Sequence, residues 1–132
     1  MTFIVKTTRR EEFADITSRV ADAVREAGLE KGLCLVFVPH TTAGVTVNEA
    51  ADPDVATDIL AALDRMAPRD FPFRHAEGNS PAHVKASLMG SSVTLSVAEG
   101  RLVLGAWQGV FLCEFDGPRA RKVLVSLIPE RL

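Results

Sequence analysis

The chain of 132 residues has no tyrosine, a single tryptophan and only two cysteines. Cys34 and Cys113 both lie in apolar, strand-like runs. Two thiols do not make a disulfide scaffold; a bridge between them is one reading, reduced thiols in a cytoplasmic protein the simpler one. No apolar run approaches the ~20 residues that a membrane helix needs, so no membrane partner is expected. Met1 to Arg10 shows no basic-then-apolar pattern of a secretory leader, and cytoplasmic residence is the expectation. Charge of one sign is also missing: the formal net charge is −2 with both signs interspersed. The densest basic group, Arg119, Arg121 and Lys122, is too small to act as a phosphate-neutralising stripe, which excludes nucleic acid as the expected partner. Low-complexity tracts and internal repeats are absent as well. With 47% hydrophobic and 24% charged residues, what is there suits one domain over residues 1–132 built on one core.

Hydrophobic periodicity supplies the elements. Phe3 to Thr7 alternates and predicts a first strand. Phe13, Ile16, Val20, Val24 and Ala27 recur at helical spacing up to Gly28, predicting an amphipathic helix. Leu33 to Val38 is nearly all apolar, the pattern of a strand buried on both faces, and Val45 to Val47 begins another. Asp52 as cap, Pro53 in the first turn and the stripe Val55, Ile59, Leu63 and Met66 predict a second helix. Pro68 to Ser80 has no period and reads as a loop. A short third helix follows, with Ser80 as cap, Val84 and Leu88 as the buried pair, and Gly90 as the stop. The last third is strand-like: Val93, Leu95 and Val97 alternate with Ser92, Thr94 and Ser96. Glu99-Gly100 signals a hairpin turn into Arg101 to Leu104. Gly105 and Gly109 have the look of bulges. Val110 to Phe115 and Arg121 to Ile128 read as a final pair joined around Asp116-Gly117-Pro118. Helices early and strands late define an α+β fold with an antiparallel, sandwich-like sheet and about three helices.

The three histidines, His40, His75 and His83, each fall at an element end or in a loop, where functional groups concentrate. His83 lies in the first turn of the third helix, where the dipole favours a neutral imidazole. Three neutral imidazoles that converge make an open site for Zn²⁺ or a similar borderline ion. Spacing alone also fits unrelated surface histidines. Among the carboxylates, Asp52 and Asp54 are explained by the start of the second helix, and Asp116 by its turn. Glu49 and Glu114 stand beside apolar strands, where an unpaired carboxylate is costly, and are candidates for a general base or for orienting a histidine. Gly78-Asn79-Ser80 ahead of a helix offers free N–H groups to an anion. Arg119 after Gly117-Pro118 is placed to hold a phosphate or, equally, a surface salt bridge. Cys113 is a candidate nucleophile against the commoner role of inert filling.

Three segments then stand out together: HTTAGVTVNEAADPDV from His40 to Val55, HAEGNSPAHVKASLMGSS from His75 to Ser92, and EGRLVLGAWQGVFLCEFDGPRARKV from Glu99 to Val123. In these, and in their order along nearly the whole chain, the sequence resembles the YjbQ-like family, also called the secondary thiamine-phosphate synthase family. The resemblance implies a YjbQ-like α+β fold, a homotrimer with pockets near subunit boundaries, and a divalent metal on His40, His75 and His83. It places Glu49, Asn48, Glu77 and Asn79 close to that metal and strengthens Cys113, Glu114 and Asp116 as candidates. With the residue-level reading added, the substrate-binding candidates are Thr41, Thr42, Asn48, Glu77, Gly78, Asn79, Asp116 and Arg119, and the catalytic candidates Glu49, Glu114 and Cys113. The resemblance also implies a weak thiamine-phosphate synthase activity, joining a pyrimidine pyrophosphate to a thiazole phosphate. Imidazole ligands favour Zn²⁺ or Mn²⁺ over the Mg²⁺ usual for pyrophosphate chemistry, so that activity is also readable as a side reaction. The expectation is therefore a metal-dependent enzyme acting on a small phosphorylated metabolite. The alternatives are a metal-dependent hydrolase and a non-catalytic trimeric module that binds a metabolite or metal.

Overall fold

The computed structural model describes residues 1–131. Its elements are β1 (Thr2–Lys6), β2 (Glu12–Asp15), α1 (Thr17–Ala27), β3 (Gly32–Phe37), β4 (Ala43–Glu49), α2 (Pro53–Met66), α3 (Ser80–Met89), β5 (Ser92–Ala98), β6 (Arg101–Leu102), β7 (Gln108–Glu114) and β8 (Ala120–Pro129). The strands form a five-stranded sheet in the order β1-β8-β3-β5-β6 and a three-stranded sheet in the order β2-β7-β4. Every pairing is antiparallel. The fold is α+β, as the sequence pattern predicts.

The core has two parts, where composition suggested one. Cys34, Val36, Val123 and Val125 from the large sheet meet Val45, Val110 and Leu112 from the small sheet, with Val20 and Val24 of α1 packed among them. On the other face of the small sheet, Phe111, Cys113 and Phe115 pack against Leu63 of α2 and Ala82 and Ala86 of α3. Strand β7 thus lies in the middle layer, and its residues from Gly109 to Glu114 are all buried. Burial of one leucine of the size of Leu112 contributes about 1.5–3 kcal/mol.

Several local expectations are corrected. Phe13 belongs to β2, not to the first helix: it pairs with Cys113 and its ring packs on Phe111 at 6.0 Å. The helix begins at Thr17, with Ile16 at the cap position and no side-chain cap bond; just ahead of it the Asp15 carboxylate accepts from the Thr17 N–H at 2.9 Å. Strand β3 is buried on one face only; Leu33 and Phe37 are 42% and 39% exposed. In α3 the buried residues are Pro81, Ala82, Lys85 and Ala86, whereas Val84 and Leu88 are exposed. The reason is close packing on β4: a Cβ on Gly44 would stand 2.6 Å from the Gly90 carbonyl oxygen, so only small side chains fit there. Lys85 is tolerated inside because its ammonium donates to Glu11 at 2.7 Å and to Asp64. Asn79, not Ser80, occupies the cap position of α3, without a side-chain cap bond. Met66 ends α2 in solvent. Finally, β7 and β8 do not pair. The Asp116-Gly117-Pro118 link, with a cis Gly117–Pro118 bond, carries the chain from the small sheet to the large one. The Glu99-Gly100 turn is as expected, with φ of 53° and 74°, values that a tight primed hairpin turn requires.

Candidate functional site

Three chain segments converge at one end of the two sheets. The β3–β4 connection supplies His40, Thr41 and Thr42, and the loop after α2 supplies His75, Glu77 and Asn79. His83 follows one turn into α3. All of these border a cavity of about 460 Å³ whose far wall is Asp116, Arg119 and Arg121. His40 and His83 also border an adjoining hollow with Ser87 and Ser91.

The three imidazoles line one cavity but are not equivalent. The rings of His75 and His83 meet edge to face, with centroids 5.5 Å apart. The His75 Nε2 lies 3.7 Å from a Glu77 carboxylate oxygen. His40 is half-buried, and its Nε2 accepts the Lys122 backbone N–H at 2.8 Å. Burial first, then the neighbouring Arg121 charge, pushes its pKa down, so the ring is the neutral form that a metal requires. Among the described residues no three His, Cys, Asp or Glu side chains stand together as a ready-made metal cluster. The donor types fit a borderline ion. Completing a three-imidazole set requires His40 to give up the Lys122 amide.

Asp116 is the best-organised carboxylate on the wall. It accepts from Asn79 Nδ2 at 3.0 Å and from Arg119 Nη2 at 3.0 Å. Burial would raise its pKa, but the Asn79 amide and the Arg119 and Arg121 charges outweigh that and hold it below the usual carboxylate range. Because Asn79 must turn its NH₂ toward Asp116, its Oδ1 is fixed in direction and is left buried without a partner. Buried acceptors of this kind are rare and call for an explanation.

Behind the wall lies a buried ion pair. Arg121 donates through Nε to Glu114 Oε1 at 2.9 Å and Oε2 at 3.1 Å, and through Nη2 to Glu114 and to Thr42 Oγ1 at 2.8 Å. Glu114 also accepts from Thr7 Oγ1 at 2.7 Å and from the Asp116 N–H at 3.1 Å. Gly117 permits this closeness, since a Cβ there would fall 2.3 Å from the Arg9 carbonyl oxygen and 2.8 Å from Glu114 Cγ.

The other sequence candidates differ in setting. Glu114 has its oxygens filled and is fully buried; it positions Arg121 and has no free edge to act as a base. Burial raises the Cys113 thiol well above its ordinary value, which keeps it protonated and inert. Asn48 and Glu49 sit at the far end of β4, roughly 20 Å along the strand from Thr42. Glu49 borders a different cavity with Glu12, Asp15 and Asp52, and Asn48 accepts the Glu49 N–H. Thr42 is buried and serves Arg121, whereas Gly78 turns the loop with φ of 78° between the lining residues Glu77 and Asn79. Arg121 itself was visible only as part of a basic group. The available signal is parity: Arg121, Val123 and Val125 share the inward face of β8, so a cation stands where the pattern demands an apolar residue.

A two-sheet α+β sandwich with a histidine- and arginine-lined cavity at the sheet ends defines the class of protein. Residues 1–130 match the family described as UPF0047 protein YjbQ-like, and the chain belongs to that family. It is 46% identical over 127 residues to a UPF0047 protein of Methanocaldococcus jannaschii, covering 96% of this chain and 92% of that one. It is 47% identical over 128 residues to the UPF0047 protein YugU of Bacillus subtilis, covering 96% and 97%. A crystal structure of an uncharacterised YjbQ/UPF0047 protein from Clostridium acetobutylicum superposes with a TM-score of 0.95 at 52% identity, over 97% of this chain and 99% of that one. A protein of unknown function from Sulfolobus solfataricus gives 0.94 at 35% identity, over 98% and 96%.

Proposed function

We propose that the cavity binds a divalent metal ion through His40, His75 and His83 and acts on a small phosphorylated metabolite held beside it. The observation that carries this reading is that three imidazoles, from three separate segments, line one cavity whose far wall bears Arg119 and Arg121. Zn²⁺ or Mn²⁺ suits such donors better than Mg²⁺. When bound, the ion would supply charge stabilisation for a departing anion. Around it, Thr41 and Asn79 orient the ligand, Asp116 keeps Arg119 and Asn79 in place, and Glu77 partners His75. Thiamine-phosphate formation is the candidate reaction, and it comes from the family resemblance: a bond to pyrophosphate breaks as the thiazole nitrogen attacks the pyrimidine methylene. The hydrolytic alternative loses both of its proposed bases, Glu49 by position and Glu114 by saturation. The non-catalytic module is the rival that the test must separate. Turnover of the pyrimidine pyrophosphate with the thiazole phosphate should fall to background on chelation and return with Zn²⁺ or Mn²⁺. A rate indifferent to chelation contradicts metal catalysis, and ligand binding without turnover in the metal-loaded protein favours the module.

Self-association belongs to the same reading. The outer face of the large sheet exposes Ile4, Leu33, Phe37 and Ile128, with Leu33 beside Ile128 and Phe37 beside Leu124 in register. Exposed apolar side chains on one sheet face are what an interface between copies would cover, and the resemblance supplies the number three. No helix among the described residues is long and apolar enough to cross a membrane. Leu33→Glu should convert a trimeric mass in light scattering to a monomeric one; a wild-type mass for that variant places the interface elsewhere.

A further inference from the structure

We propose that Arg121 is the oxyanion-recognising group of the cavity, its guanidinium aimed by Glu114 and Thr42, and that it takes the terminal phosphoryl group of the ligand. This rests on the reading of the cavity as a site for a phosphorylated metabolite, and it does not depend on the metal.

Arg121 is 4% exposed, yet it borders the cavity. One edge of its guanidinium, Nε and Nη2, is consumed by Glu114 and Thr42. Nη1 has no partner among the described residues, and it is not among the polar atoms sealed from solvent. The free corner of a buried cation therefore opens on the cavity. A pair kept only for stability needs no such opening, since a buried ion pair is often replaceable by apolar side chains at no loss.

Arg119 repeats the arrangement on the same wall. Its Nε donates to the Asp116 carbonyl oxygen at 2.7 Å and its Nη2 to the Asp116 carboxylate at 3.0 Å, which leaves its Nη1 unpaired too. Both guanidinium groups are neutralised by a carboxylate behind them. Selectivity must then come from aimed donors and not from net charge, and planar forks aimed at oxygen suit phosphoryl groups.

The test is calorimetric titration of the full chain with inorganic phosphate and, separately, inorganic pyrophosphate, on both chelated and zinc-loaded protein. Arg121→Lys keeps the charge and loses the second arm; it should weaken both anions by about tenfold or more. Thr42→Val keeps the volume and removes one acceptor that aims the guanidinium; a smaller loss, about threefold, is expected with little change in the urea midpoint. It keeps the proposal testable if Arg121→Lys does not fold. Tighter pyrophosphate assigns a diphosphate end to the ligand, and tighter phosphate a monoester. Arginine-dependent binding that survives chelation supports the proposal even where the metal reading fails. Wild-type affinity in both variants overturns it, as does a zinc-binding wild type that takes up neither anion.

Discussion

Glu114→Ala should destabilise the fold by about 3–5 kcal/mol, a large share of the stability of a small domain. The variant leaves the Arg121 guanidinium buried with only Thr42 to accept from it and strips partners from Thr7 and the Asp116 N–H. The uncompensated cation dominates the cost; the lost hydrogen bonds add less. Equilibrium urea unfolding reads this directly. The double variant Glu114→Leu/Arg121→Met removes both charges and keeps the volume, so it should recover most of the loss. A single variant within about 1 kcal/mol of wild type would mean that the guanidinium is solvated through the cavity well enough to do without its carboxylate, and that Glu114 is not what holds it.

Gly44→Val should cost about 1–3 kcal/mol and should also damage the site. Strand β4 and helix α3 touch at this glycine, where even a Cβ would stand 2.6 Å from the Gly90 carbonyl oxygen and 3.3 Å from Met89 Cβ. Backbone on both sides cannot yield as a flexible side chain does. Relief comes by pushing α3 outward, which carries His83 away from His40. The expected signature is a coupled loss, a lower unfolding midpoint together with weaker Zn²⁺ binding. A midpoint loss with undiminished metal affinity would show that α3 shifts without disturbing the histidines.

Much of this architecture is legible locally. Asp52, Pro53 and the Val55–Ile59–Leu63 stripe predict α2, and the Asp52 carboxylate does accept the Asp54 N–H. Glu99-Gly100 predicts its turn because two residues with positive φ leave few alternatives. The misses share one cause, which is tertiary context. Phe13 has the right spacing for a helix, but pairing of β2 with β7 offers it a ring partner and a ladder. Val84 and Leu88 look like a core stripe, yet the tight approach at Gly44 admits only Ala82 and Ala86. Nothing local distinguishes a hairpin from a crossover at Asp116-Gly117-Pro118, and so β7 and β8 look paired when they lie in different sheets. The apolar run of β3 is real, but its second face looks outward, leaving Leu33 and Phe37 exposed.

At the site, residue type and position at element ends single out the three histidines, and all three line the cavity. Glu49 and Cys113 lie off the cavity for complementary reasons. Glu49 is near His40 in sequence but at the opposite end of an extended strand; Cys113 is near the site but faces the α2–α3 core. Arg121 was the missed residue, since a cation in a basic triplet looks like surface until strand parity turns it inward.

The central claim is that His40, His75 and His83 serve one ion. Its most direct test is a Zn²⁺ titration of protein made without a histidine tag, alongside His40→Ala, His75→Ala and His83→Ala. One tight site per chain is expected in the wild type, with a marked loss of affinity in each of the three variants. Undiminished affinity in all three, or a wild type that binds no Zn²⁺ at all, would contradict it.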